Sequence, residues 1–258
     1  MTLLEHFREL RKRVAFSVVF FVTTFLVCYF FSEKIYEFLL KPFYEISQNN
    51  ESRRLIYTGL SEAFVTYIKL AFLSALFFSF PIFAAEIYLF LSPALYKNEK
   101  KKVSLIFFFT FFLFLCGALF AYYFILPATL RFFLSFENQG FMTSSLPIQL
   151  ETRISEYLNF ITNLLFGFGL AFELPILLLF LIRIDFLSIR GLRAKRRYVV
   201  VIIFVIAAIL TPPDLLSQIS LAVLLIILFE ITLLIGNQFN KKCKKHGYQK
   251  SSGKKSSC

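Results

Sequence analysis

Residues 183–216 read RIDFLSIRGLRAKRRYVVVIIFVIAAILTPPDLL, and this stretch decides the fold. Its first half carries Arg183, Arg190, Arg193, Lys195, Arg196 and Arg197, whereas Tyr198 to Leu210 holds no charge and stops at two prolines and Asp214. A dense cationic connector beside an uncharged aliphatic run marks a helix entering a bilayer from its positively flanked side. The run is about 13 residues, or about 20 Å as a helix, against a hydrocarbon core of about 30 Å. It is short for an ordinary bilayer.

The same alternation extends across the chain. Hydrophobic residues make up 58% of the 258, charged residues only 17%, and mean hydropathy is +0.71, too apolar for a water-soluble domain of this size. The formal net charge of +12 does not indicate nucleic acid, because the cations lie in the short segments between apolar runs, not on a separate basic face. Cys28 and Cys116 fall within apolar runs and Cys243 and Cys258 in the tail, a scatter that implies neither a disulfide nor a metal site. Both histidines, His6 and His246, lie outside the spans, which excludes a membrane cytochrome with paired histidine ligands. No cofactor is expected.

Six spans are expected, at about 15–32, 62–91, 103–126, 156–182, 198–210 and 215–235. Before them, Leu3, Phe7, Leu10 and Val14 line one face of a helix over residues 1–14 that lies along the interface. After them, residues 236–258 form a lysine-rich tail expected to be disordered. Pro42 falls in a polar segment after span one, Pro81 bends the long second span, and Pro127 closes the third. Roughly 21 of the 28 cations fall on the side of the N-terminus, the second-to-third and fourth-to-fifth connectors and the tail. Both termini are therefore expected in the cytoplasm, giving an all-α integral membrane protein whose last two helices are short. Parity alone would also allow the last hairpin to be re-entrant.

Carboxylates inside the spans stand out, since each costs a few kcal/mol if ionised in lipid. They are Glu86, Glu173 and Glu230. Each is expected to be neutral or to face a wet groove, with a protonated carboxyl bridging two helices as the structural alternative. A second set of acids, Glu5, Glu9 and Glu99, sits among cations at the cytoplasmic edge. Local salt bridges such as Glu9 with Arg13 would explain these. The functional reading is capture of a cationic ligand, with carboxylates selecting planar guanidinium through paired donors. Asp214, after two prolines and before an apolar run, is suited to cap a helix N-terminus. No nucleotide loop is present, because the tail glycines at 247 and 253 lack the required spacing and flanking strand.

Seven segments in order resemble the TatC family, the multispanning subunit of the twin-arginine protein translocase. They are HFRELRKRV at 6–14, EAF with IKL within 62–70, LSPALYKNE at 91–99, FAYYFILP at 120–127, AFELP at 171–175, LTPPDLLSQ at 210–218 and FEI at 229–231. The resemblance implies a non-enzymatic receptor in the bacterial inner membrane. It would bind the paired arginines of a folded cargo's signal peptide, recruit TatA- and TatB-type single-span partners, work as a homo-oligomer within a larger complex embedded in membrane lipid, and draw on the proton-motive force. It also implies a cupped, concave shape.

Carried over by the resemblance, Glu9, Arg11, Phe90 and Glu99 bind the signal peptide, with Glu9 and Glu99 reading the arginines. Glu86 and Glu173 fall on the concave face. Pro42, Phe64, Tyr122, Asp214 and Glu230 serve partner docking or structure. Two departures are visible: Glu86-Ile87-Tyr88 stands where the family usually has glutamine and tryptophan at the outer two positions, and the chain has no tryptophan at all. From a different class, a proton-coupled small-solute transporter would use Glu86, Glu173 and Glu230 as a relay, with internal repeats that the spacing of these acids does not display.

Overall fold

The computed structural model describes residues 3–47, 55–57, 59, 61–91, 100–136, 152–183, 186–212 and 214–250, with side chains outside 3–7, 9–10, 47, 87–91, 100–107, 183 and 238–250. The chain divides into two compact units, Met1–Gly169 and Leu170–Cys258.

In the first unit, α1 (Leu3–Phe30) runs unbroken from the expected interfacial segment through span one. Nothing between Leu3 and Phe30 interrupts the backbone ladder, since the segment contains neither proline nor glycine. Helix α1 packs along α3 (Glu62–Leu91), where Cys28 meets Ala71 and Ala75 with Phe21, Phe25 and Ile35 around them. The alanines let the backbones approach, as small residues do wherever helices associate without a hydrophobic force between them. Pro81 lies inside α3 without ending it.

The polar segment after span one is helical in its first half. Ser32–Ser47 forms α2, which carries Pro42 inside it and packs on α3. Pro127 does not close the third span. Helix α4 (Lys100–Phe120) passes into one π-helical stretch (Ala121–Ile125) and then α5 (Leu126–Leu134), where Pro127 occupies the first turn. A proline is tolerated in a first helical turn because its missing donor is not needed there. The π turn resets the ladder just before it, so the membrane-length helix extends over Phe108–Leu134. A two-residue parallel ladder pairs β1 (Leu55–Ile56) with β2 (Thr152–Arg153), immediately before α6 (Ile154–Arg183).

The core of this unit is aromatic. Phe114, 1% exposed, lies 4.8 Å from Phe77, 5.0 Å from Phe80 and 6.1 Å from Phe166 by ring centroids. Gly169 makes room for it, since a Cβ at that position would stand 2.7 Å from the Phe114 ring.

In the second unit, Ser188 caps the short α7 (Ile189–Ala194) by accepting from the Gly191 N–H at 3.1 Å. Helix α8 (Arg196–Leu210) is 15 residues, hence about 22 Å, and packs against α9 (Leu215–Lys250). Helix α9 does not stop at 235 but continues to Lys250, with five lysines among residues 236–250. Among the described residues, five helices are long and apolar enough to cross a membrane.

Candidate functional site

The residues singled out by sequence fall into three places. At the end of the first unit that holds the start of α1, Arg13 Nη1 donates to Glu86 Oε2 of α3 at 2.6 Å, both side chains about one-quarter exposed. Glu86 is therefore an ion-pair partner of α1. The pair joins residues 73 apart in sequence, while the expected local pair of Arg13 with Glu9 falls on a side chain outside the described residues. Arg11 is exposed on the same helix. The side chains of Glu9 and Phe90, and the whole of Glu99, lie outside the described residues.

At the opposite end of the same unit, α2, α5, the π turn and the start of α6 meet around Pro42. Lacking an N–H, Pro42 leaves the Phe38 carbonyl without its helical donor. The Tyr122 hydroxyl donates to that carbonyl at 2.8 Å, with the Tyr122 and Phe38 rings stacked at 4.6 Å and 7°. One residue on, the Tyr157 hydroxyl donates to the Leu39 carbonyl at 3.1 Å, and its ring meets Phe43 edge-on at 5.2 Å. Pro42 and Tyr122, 80 residues apart in number, are thus two parts of one joint. Phe64 lies near the start of α3 and is 62% exposed.

The joint makes a specific expectation. Removing the Tyr122 hydroxyl orphans a carbonyl and costs about 1–3 kcal/mol. In a Pro42→Ala background the helix supplies its own donor, so Tyr122→Phe should then cost less than half as much. Unfolding midpoints of the four chains in detergent measure the cycle. An identical cost in both backgrounds would refute the linkage.

The remaining acids lie in the second unit. Glu173 is 6% exposed, and neither carboxylate oxygen makes a hydrogen bond among the described residues. Glu230 accepts from Arg196 Nη2 at 3.0 Å on a half-exposed face between α9 and α8. Asp214 caps α9: its Oδ2 accepts from the Ser217 N–H at 2.8 Å, while Oδ1 is buried without a hydrogen bond among the described residues.

Sequence reasoning passed over several participants. Tyr157 gave no signal because its partner, the Leu39 carbonyl, lies 118 residues away in another helix. Glu62 binds the Ser155 hydroxyl at 2.6 Å and the Gly59 N–H at 3.3 Å, joining the first turns of α3 and α6; its acidic position at a helix start was the available clue. Outside the spans, Tyr36 of α2 lies 3.5 Å from the Tyr57 hydroxyl. Desolvation first, then that hydrogen bond, pushes its phenol up, so Tyr36 stays neutral at any physiological pH.

Long apolar helices, buried small-residue contacts and acids held by ion pairs or sequestered within spans define a multi-pass helical membrane protein without a metal cluster among the described residues. A model of the family described as Sec-independent protein translocase protein (TatC) matches residues 5–223. The Sec-independent protein translocase protein TatC of Rickettsia prowazekii is 46% identical over 90% of this chain and 91% of its own length. That of Magnetococcus marinus is 40% identical over 93% and 85%. Among solved structures, the crystal structure of the twin arginine translocase receptor TatC in DDM matches with a TM-score of 0.75 at 32% identity, covering 90% of this chain and 99% of that one. The chain belongs to the TatC family of Sec-independent protein translocase proteins.

Proposed function

We propose that this chain is the receptor subunit of a twin-arginine translocase, which binds signal peptides of folded cargo and assembles with TatA- and TatB-type single-span proteins in a proton-motive-force-driven complex. The observation that carries this reading is the match over 90% of the chain to a protein described as the twin arginine translocase receptor. In this reading the chain resides in the bacterial cytoplasmic membrane, with six crossings counting the short α8, a cupped shape and both termini in the cytoplasm. The bias of cations toward the N-terminal side supports that orientation.

Glu9 and Glu99 read the two guanidinium groups, with Arg11 and Phe90 completing the binding surface. The buried Glu173, without a hydrogen bond among the described residues, offers one to a polar group on a passing signal peptide or a partner helix, in surroundings where such a bond has no competitor from water. Asp214 supports the α8–α9 hairpin beside which partners dock. The relay required by a small-solute transporter fits less well, since Glu86 and Glu230 are each held by an arginine.

The test is site-specific crosslinking from positions beside Glu9 and Glu99 to a signal peptide carrying Arg-Arg or Lys-Lys. The arginine peptide should crosslink about tenfold more efficiently, the equivalent of about 1.4 kcal/mol. Equal crosslinking of both peptides would count against the receptor reading.

A further inference from the structure

Between α2 and α5 lies an open cleft of about 510 Å³, lined among others by Lys41, Glu45, Tyr123, Pro127 and Arg131. Its size falls within the roughly 300–1,000 Å³ of small-molecule sites. Arg131 is exposed and makes no ion pair among the described residues, while Lys41 approaches Glu45 only at 3.9 Å in a pair that is more than half exposed. Two cations face one carboxylate, leaving one net positive charge. Such a balance suits a singly charged phosphodiester, and a guanidinium binds phosphate oxygens through two parallel donors.

The surroundings say what carries the phosphate. Arg131 and Pro127 lie toward the end of the span Phe108–Leu134, and α2 carries a strong polar–apolar division along its flank. Phe108, Phe112, Leu119 and Tyr123 are exposed at spacings of four, seven and four, one face of a helix that leads straight to the cleft. Tyr123 and Phe124, each more than 60% exposed, stand at its rim, as aromatic residues do at the headgroup level. A free anion would use the cations and leave this stripe without a role. A phospholipid uses both.

We propose that the cleft binds the phosphate of an anionic glycerophospholipid, with Arg131 and Lys41 holding the headgroup and the acyl chains lying along the Phe108–Phe112–Leu119–Tyr123 face. Phosphatidylcholine is disfavoured, because its quaternary ammonium would sit among like charges. The site is at the end of the first unit away from Arg13 and Glu86 and does not depend on how signal peptides are recognised.

The test places the full chain in nanodiscs of equal parts phosphatidylglycerol and phosphatidylcholine, then releases it into mild detergent for native mass spectrometry. Retained phosphatidylglycerol should exceed phosphatidylcholine by about threefold or more, the return from partly exposed charge-assisted contacts. The preference should vanish in Lys41→Gln/Arg131→Gln and persist in Arg153→Gln, whose cation lies outside the cleft. Both changed side chains are exposed, and the unfolding midpoint in detergent checks that the variant is folded. Equal retention of the two lipids, or a preference that survives the double change, overturns the proposal. So does an outcome in which the delipidated chain binds inorganic phosphate through Arg131 yet retains no phosphatidylglycerol, which would make the cleft a site for a free anion.

Discussion

Replacing Glu9 and Glu99 together by alanine is expected to abolish export of a twin-arginine reporter while the chain still inserts in the membrane. A hydrogen bond to a charged partner contributes about 1.5–3 kcal/mol, and two carboxylates each lose one. The combined loss of about 3–6 kcal/mol corresponds to at least a hundredfold weaker capture of the signal peptide. On the proposed arginine-reading role, Glu99→Ala alone should already cut export strongly, and the double change should cut it further. Lysine at either position should be worse than alanine, since a cation then faces the incoming guanidinium. The readout is the ratio of exported to retained reporter, with membrane-inserted chain measured in the same cells. Export at the normal rate from the double variant would remove the arginine-reading role from these two residues.

The largest effect on stability is expected where Gly169 faces Phe114. In lipid the separation of apolar surface from water no longer drives helix association, so close van der Waals packing carries more of the load. Phe114 cannot yield to a new Cβ at 2.7 Å, since Phe77, Phe80 and Phe166 hold its ring on other sides. Gly169→Ala should therefore destabilise by about 1–3 kcal/mol through overpacking, and Phe114→Ala by about 3–5 kcal/mol through the cavity it leaves. Combined, the two changes should cost clearly less than their sum, because the added methyl occupies space that the ring vacates. Denaturant unfolding of the four chains in detergent measures this. Strict additivity would show that the two positions do not share one packing space.

How far the sequence speaks can be argued from these same residues. The long apolar runs were legible because hydropathy over about 20 residues overwhelms every local signal, and the cation-rich connectors mark their ends. Asp214 was legible as a cap because two prolines and an apolar run bracket it. Pro127 misled, and the helix around Pro42 was not foreseen. Each proline breaks a helix when considered alone, yet Pro42 lies in a helix whose Phe38 carbonyl receives a hydroxyl from residue 122, and Pro127 follows a π turn. Those compensations come from tertiary neighbours that no local pattern contains. Glu86 illustrates the same point for charge, since an acid that looks isolated along its own helix meets Arg13 from another. The family motifs supplied a list of candidate positions, but they did not reveal that Pro42 and Tyr122 meet in one joint.

The π-helical stretch Ala121–Ile125 carries a consequence for how related chains can differ. Such a turn holds one more residue than an ordinary helical turn, so it acts as an insertion absorbed without a break in the membrane-length helix. A relative lacking that one residue would continue as regular helix, and everything beyond would rotate by about 100° about the axis. Arg131 would then turn away from α2, and Tyr122 could not keep its present bearing on Phe38. The extra residue therefore sets the azimuth of the distal half of this helix, and a single-codon indel there would rewire one face of the molecule while leaving its hydropathy profile unchanged.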